Sequence, residues 1–257
     1  MAGPNDAFRD KLKLDFNISA DLSDVVFTKG DIKKYNENVS DVFGEKLCLV
    51  YTTEFKIYNV HFSIKMLSFI YAKSNEILKL DINLNDPHLE KEMAACRNFL
   101  QRHRNLNATF ATLTQFAKFN EMRRLVGAIV LCKEPKFVLS KKPDGGVNIK
   151  YLDNLSKVLI DIHWTIDWNL KDSSVVDIIE VYYNNFDLPN ASDIREKLTR
   201  LTHPSLDFHP KLKLWKLLLD DLRKKQQEYN SSCDNHYRTS RSSTFIRSGQ
   251  RSGYIRQ

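Results

Sequence analysis

The segment Ile160-Asp-Ile-His-Trp-Thr-Ile-Asp-Trp168 sets an imidazole between two carboxylates. In an extended chain alternate residues share a face. Asp161, His163, Thr165 and Asp167 then stand on one side, with Ile160, Ile162, Trp164, Ile166 and Trp168 on the other. Two carboxylates astride a histidine can hold a divalent cation or orient the imidazole as a general base. Such sites draw partners from several elements, and the only nearby imidazoles are His203 and His209, each directly before a proline. The same alternation also describes the solvated outer face of an antiparallel strand. Asp161, His163 and Asp167 are therefore the catalytic candidates of a metal-dependent enzyme, the least favoured of three readings. No metal or cofactor is assigned. The eight glycines form no phosphate loop or dinucleotide fingerprint, and neither G-x-S-x-G nor H-E-x-x-H occurs.

The cations say more. Arg97, Arg102 and Arg104 lie mostly off the apolar stripe Leu89/Met93/Cys96/Leu100, and Arg123 and Arg124 follow on the next helical stretch. Lys136, Lys141, Lys142 and Lys150 surround a hairpin tip. The stretch Ser231–Gln257 is rich in Ser and Arg and has no Lys. Its five arginines (Arg238, Arg241, Arg247, Arg251, Arg256) against Asp234 supply +4 of the chain's net +7. Tyr237, Phe245 and Tyr254 stand among them. Guanidinium groups fork onto phosphate, and aromatic rings between them can stack on unpaired bases. The hydrophobic residues of this stretch repeat at neither 2.0 nor 3.6, so it has no face to bury. It is expected to be a disordered tail on a folded body, residues 1–230.

These groups need elements to position them. Asp31 is placed to cap a helix carrying Ile32, Tyr35, Val39 and Val42 and closed by Gly44. Tyr58–Met66 fits strand and helix equally. Asp86-Pro87 opens a helix with Leu89, Met93, Cys96 and Leu100 on one face. A second, wider-faced helix starts at Asn107 and carries Phe110, Leu113, Ala117, Val126 and Ile129. Lys136–Ser140 and Val147–Tyr151 flank a Pro-Asp-Gly-Gly tip, the pattern of a hairpin. Ile160–Trp168 reads as a strand. From Ser174 the spacing of Val175, Ile178, Ile179 and Tyr182 reads as helix. Asn190 caps another helix with Ile194, Leu198 and Leu201, and a last one runs from Pro210 through Leu214, Trp215, Leu218 and Leu222. The expected fold is α+β and predominantly helical, a single compact domain with one hairpin or short sheet.

Composition bounds the function. The chain has 257 residues, 42% of them hydrophobic and 39 of them Lys or Arg against 32 Asp or Glu. The longest apolar run, Leu125–Cys132, falls far short of the ~20 residues of a membrane-spanning helix. The first residues show neither a secretory signal nor a basic transit segment. Four widely spaced cysteines, Cys48, Cys96, Cys132 and Cys233, form no C-x-x-C. Together these features predict an intracellular protein, cytoplasmic or nuclear. No known family is recognised in the sequence. The leading expectation is a non-enzymatic protein that binds RNA or single-stranded nucleic acid through a basic body surface and the Arg/aromatic tail. That profile also suits a nucleocapsid-like or movement-type viral protein. The second expectation is a protein-interaction adaptor whose tail is a phosphorylation target, since Arg238-Thr-Ser and Arg241-Ser-Ser-Thr put hydroxyls beside arginine.

Overall fold

A computed structural model describes residues 25–35, 40–41, 44–45, 47–70, 75–133, 136–153, 156–183, 191–203, 206 and 208–224. The expected tail, with its five arginines and three aromatic residues, lies outside the described residues.

Two four-stranded antiparallel sheets form the frame, so the expected helical predominance is overturned: strand residues slightly outnumber helical ones. The first sheet is built from β1 (Val25–Tyr35), β4 (Leu47–Ile57), β5 (Val60–Ile70) and β6 (Asn75–Leu84), side by side in that order. Two-residue strands β2 (Ser40–Asp41) and β3 (Gly44–Glu45) pair between β1 and β4 in sequence. Helices α1 (Pro87–His103) and α2 (Leu106–Lys133) follow. The second sheet is a plain meander of β7 (Phe137–Lys141), β8 (Val147–Leu152), β9 (Val158–Asn169) and β10 (Ser174–Tyr183). Helices α3 (Ala191–Leu201) and α4 (208–224) complete the order. Among the described residues a four-stranded antiparallel sheet followed by two helices thus occurs twice, although the sequence shows no repeat period.

Two helical expectations became strands. The stretch from Asp31 lies in β1, which pairs with β4 from Val25↔Ile57 to Tyr35↔Cys48 around a bulge at Phe27/Lys29. Ser174–Tyr183 is β10, fully paired with β9. In both, apolar residues three and four apart imitated a helical face, and pairing with a neighbouring strand decided otherwise. The ambiguous Tyr58–Met66 resolves as a turn at Tyr58 and Asn59 and strand from Val60, with Val60, Phe62, Ile64 and Met66 all buried on one face.

Elsewhere local chemistry sufficed. Asp86 caps α1 through its Oδ1, which accepts the backbone N–H groups of His88 (2.8 Å) and Leu89 (3.4 Å). Arg104 ends the helix in a left-handed conformation, φ 53°, with its N–H on the Leu100 carbonyl. Asn105 then accepts the Ala108 N–H at the start of α2. Leu89, Met93, Cys96 and Leu100 are buried as their spacing requires.

The inner faces of the sheets make two cores joined by α2. Phe110, Leu113, Phe116 and Ala117 of its first half pack with Phe55, Phe62, Ile64 and Ile82 of the first sheet and with α1. Met122 and Val126 of its second half pack with Ile160, Ile162, Trp164 and Ile179 of the second sheet and with α3 and α4. Strand β9 is shared as well: Ile166 and Trp168 belong to the first core, Ile160 to Trp164 to the second.

Two buried ion pairs cross these cores. Lys211 of α4 meets Asp177 of β10 at 2.7 Å. Glu92 of α1 receives the Arg123 guanidinium of α2 in two parallel bonds of 2.7 Å, and its Oε1 also accepts the Ile166 N–H at 2.8 Å. That last bond has a topological cause. Pairing between β8 and β9 ends at Val147↔Trp164, so the β9 edge beyond it needs another acceptor, which Glu92 supplies. The hairpin tip closes over the same point. Gly145 (φ 102°) and Gly146 (φ 82°) both use the left-handed region. A Cβ at Gly145 would collide with Glu92, and one at Gly146 would lie 2.7 Å from the Trp164 carbonyl oxygen.

Candidate nucleic-acid interface

The catalytic candidates do not converge. Asp161, His163 and Asp167 do share the outer face of β9, as alternation requires. His163 Nε2 lies 3.5 Å from Asp161 Oδ1, and its Nδ1 lies 4.0 Å from Glu180 Oε2 on β10. Lys150 of β8 stands 3.8 Å from Asp161. The Tyr182 ring packs on the imidazole at 4.9 Å, and the neighbouring Glu180 carboxylate raises its phenol above the usual range. Asp167 lies elsewhere, about 20 Å along the strand from Asp161, with its Oδ1 taking the Trp168 N–H. Among the described residues no group of three or more His, Cys, Asp or Glu side chains is placed to hold a metal ion. Alanine at Asp161 or Asp167 is expected to change stability by no more than about 0.5 kcal/mol. Thermal melts with and without Mg2+ or Mn2+ check this; a metal-induced rise lost in Asp161→Ala would contradict it.

The predicted basic groove is also rearranged. Arg123 is not a surface residue: its side chain is 4% exposed and committed to Glu92. Arg124, one position on, is exposed and forks onto Glu121. Arg97 is paired with Glu90 and partly buried. Arg104 donates to the Ile77 and Leu78 carbonyls of β6 at 3.1 and 2.8 Å, which leaves Arg102 as the exposed cation of the last α1 turn. Lys136 is half-buried at the foot of the hairpin. Lys141 is exposed, 3.7 Å from Asp86, and Lys142 follows at the hairpin tip. Lys141 therefore stands at the N-terminal end of α1, and Arg102 and Arg104 at the other. Seventeen helical residues separate those ends by about 25 Å. The Arg97–Arg104 group and the hairpin lysines are not one patch.

What gathers at the α1 N-terminus is a cleft of about 720 Å3 that the sequence did not announce. Three connections and one helix build it. The β4–β5 turn brings Asn59, the β6–α1 junction brings Asn85, Asp86 and His88, and the hairpin brings Leu139, Lys141 and Val147. Helix α2 closes it with Asn120, Arg123, Arg124 and Ala128. The walls fall into two kinds. Leu139 and Val147 offer half-buried apolar surface, with the buried Val60 and Leu89 behind it, while Asn59, Asn85 and Asn120 offer amides. Arg124 and Lys141 bring positive charge, and Asp86 is the one carboxylate in the lining.

Several bonds hold this shape. His88 Nε2 lies 2.8 Å from the Gly146 carbonyl oxygen. A carbonyl can only accept, so Nε2 carries the proton. Lys91 Nζ donates to the Pro143 carbonyl at 2.7 Å, tying α1 to the hairpin a second time. Asn120 reaches Asn59 at 3.5 Å and accepts from Arg123 at 3.1 Å. Burial raises the Asp86 carboxyl, but the His88 N–H, Lys141 and the Leu89 N–H outweigh it and hold the group below the usual carboxylate range. Tyr58, in the turn that supplies Asn59, is 41% exposed at φ 51°. A bulky residue seldom adopts that conformation.

Of the cysteines, Cys48 and Cys96 are free and buried, and burial pushes the Cys96 thiol up to about 12, leaving it unreactive near neutrality. No helix among the described residues is long and apolar enough to cross a membrane. No protein-family model matches the chain, and a comparison with curated proteins finds no relative, so any functional reading rests on the chemistry of this cleft and of the surfaces around it.

Proposed function

We propose that the protein binds RNA or single-stranded nucleic acid without chemically altering it, with the cleft at the α1 N-terminus as the body's contact site and the arginine tail as a second one. The observation that carries the reading is the lining itself. Arg124, forked onto Glu121, and Lys141, 3.7 Å from Asp86, line the cleft together with apolar side chains and three asparagines. Cations suit phosphate and amides suit base edges, and Tyr58, 41% exposed and next to Asn59 in the chain, supplies an aromatic side chain for stacking. Lys91 and Lys142 extend the positive rim toward the hairpin tip.

Salt dependence tests it. Each phosphate contact on a single strand contributes about −0.7 to the slope of log K against log salt. If the five tail arginines make two or three contacts at once, their replacement by glutamine in the intact chain flattens the slope by roughly 1.5 to 2. Replacing Tyr237, Phe245 and Tyr254 by alanine weakens binding with the slope nearly unchanged, because stacking releases few ions. An intact chain with no salt-dependent affinity for any RNA or single strand refutes the proposal.

A further inference from the structure

We infer that the cleft is a mononucleotide pocket: one nucleotide enters it with its base between the apolar wall and the asparagine amides and its phosphate on Lys141 and Arg124. The inference rests on the nucleic-acid reading and makes it specific. It predicts that a free nucleoside monophosphate occupies the same site as the strand.

Size and chemistry both favour this occupant. A volume of about 720 Å3 lies in the range of small-molecule sites. The lining is segregated. Val147 and Leu139 of the hairpin present partly exposed apolar surface over the buried Val60 of β5 and Leu89 of α1, a bed suited to a flat heterocycle. Asn85 and Asn59 stand at the junction and the turn, where an amide can both donate to and accept from a base edge. Lys141 and Arg124 reach the same space from the hairpin and from α2. Asp86 does not oppose a phosphate as a free carboxylate would. Its Oδ1 accepts the N–H groups of His88 and Leu89, and its Oδ2 lies 3.7 Å from Lys141, so a phosphate shares that ammonium with the carboxylate. A sugar alone would leave the apolar bed idle, and an inorganic anion would use only the cations. A base joined to a phosphate uses every wall.

Some of the bonds that hold the site in shape involve its own recognition groups: Asn120 reaches Asn59 and accepts from Arg123, and Arg124 is forked onto Glu121. The Glu92–Arg123 fork lies behind the site, and the bonds from His88 to Gly146 and from Lys91 to Pro143 fix the hairpin against α1. Side chains already held in place before a ligand arrives are pre-organised, which lowers the ordering cost of binding.

Titration of the full-length protein with adenosine 5′-monophosphate tests this, followed by the imidazole NMR signals of His61 and His88, both in the lining. Saturable shifts of these two signals are expected, together with displacement of a bound single-stranded RNA oligomer. Adenosine and inorganic phosphate, tested separately, should each bind more weakly than the monophosphate. Lys141→Ala, at an exposed position, should weaken the monophosphate about ten-fold, the loss of one charge-assisted hydrogen bond. Ala128→Phe, also exposed, should block the cleft sterically and abolish the shifts while leaving the melting temperature in place. RNA binding that the monophosphate does not displace and that neither variant weakens would overturn the pocket while leaving the nucleic-acid reading intact. Monophosphate binding blocked by Ala128→Phe, in a protein with no affinity for RNA, would support the pocket and overturn that reading. Phosphate binding as tightly as the monophosphate would overturn the role given to the base.

Discussion

Arg123→Ala is expected to lower the unfolding free energy by about 3–5 kcal/mol, because it strands the Glu92 carboxylate in the protein interior. Both side chains are at least 96% buried, and each carboxylate oxygen receives one guanidinium N–H at 2.7 Å. Glu92 keeps only the Ile166 N–H once the arginine is gone. The neighbouring Arg124→Ala should leave the denaturation curve where it is, since that guanidinium is solvated. Two adjacent arginines thus give opposite outcomes. Replacing both members of the buried pair by apolar residues of similar volume should recover much of the loss, as removal of the pair leaves no unpaired charge. Urea denaturation of the three variants checks the series, and an Arg123→Ala midpoint close to wild type would show that the interior is wetter than described.

Trp164→Ala should be comparably damaging, by about 3–5 kcal/mol for a large aromatic removed from a core that cannot fully collapse. Trp164 is 0% exposed and stacks on Trp215 of α4 with ring centroids 5.6 Å apart and planes 12° from parallel. It therefore holds the second sheet to the last helix. Trp164→Phe should cost much less. It keeps an aromatic face against Trp215 and removes an indole N–H that has no acceptor among the described residues. Thermal melts of the two variants separate lost volume from lost polarity; equal damage would mean that the indole edge contributes contacts the smaller ring cannot replace.

These two positions also show what the sequence makes legible. Trp164 belongs to a run of five alternating apolar residues from Ile160 to Trp168, and period two is an unambiguous statement of which side is buried. The α1 cap and the hairpin were legible for a similar reason: Asp-Pro and Pro-Asp-Gly-Gly are local chemistry that completes itself within a few residues. Strand β10 reads as helix by its spacing although its composition argues for strand. Val175, Val176, Ile178, Ile179 and Val181 are β-branched, and that enrichment should have outweighed a chance helical spacing. Arg123 could not be told from Arg124 by pattern, because its partner Glu92 is 31 residues away and on another helix. The cleft was invisible for the same cause. Its asparagines and histidines come from a turn, a strand, a junction and two helices that the chain brings together only when α1 packs against β9 and the hairpin folds back over Glu92.

Helix α2 has a consequence for how the chain can be divided. Its 28 residues serve one core with the first half and the other with the second, so it behaves as an axle on which both sheets are mounted. A cut after Lys133 would leave an N-terminal piece with Met122 and Val126 bare, and a C-terminal piece whose sheet lacks part of its cover. Neither half can be exchanged, swapped into another protein or lost by recombination without uncovering the other. The doubled order of four strands and two helices therefore does not make two movable modules, and the two halves are constrained to melt, refold and diverge together.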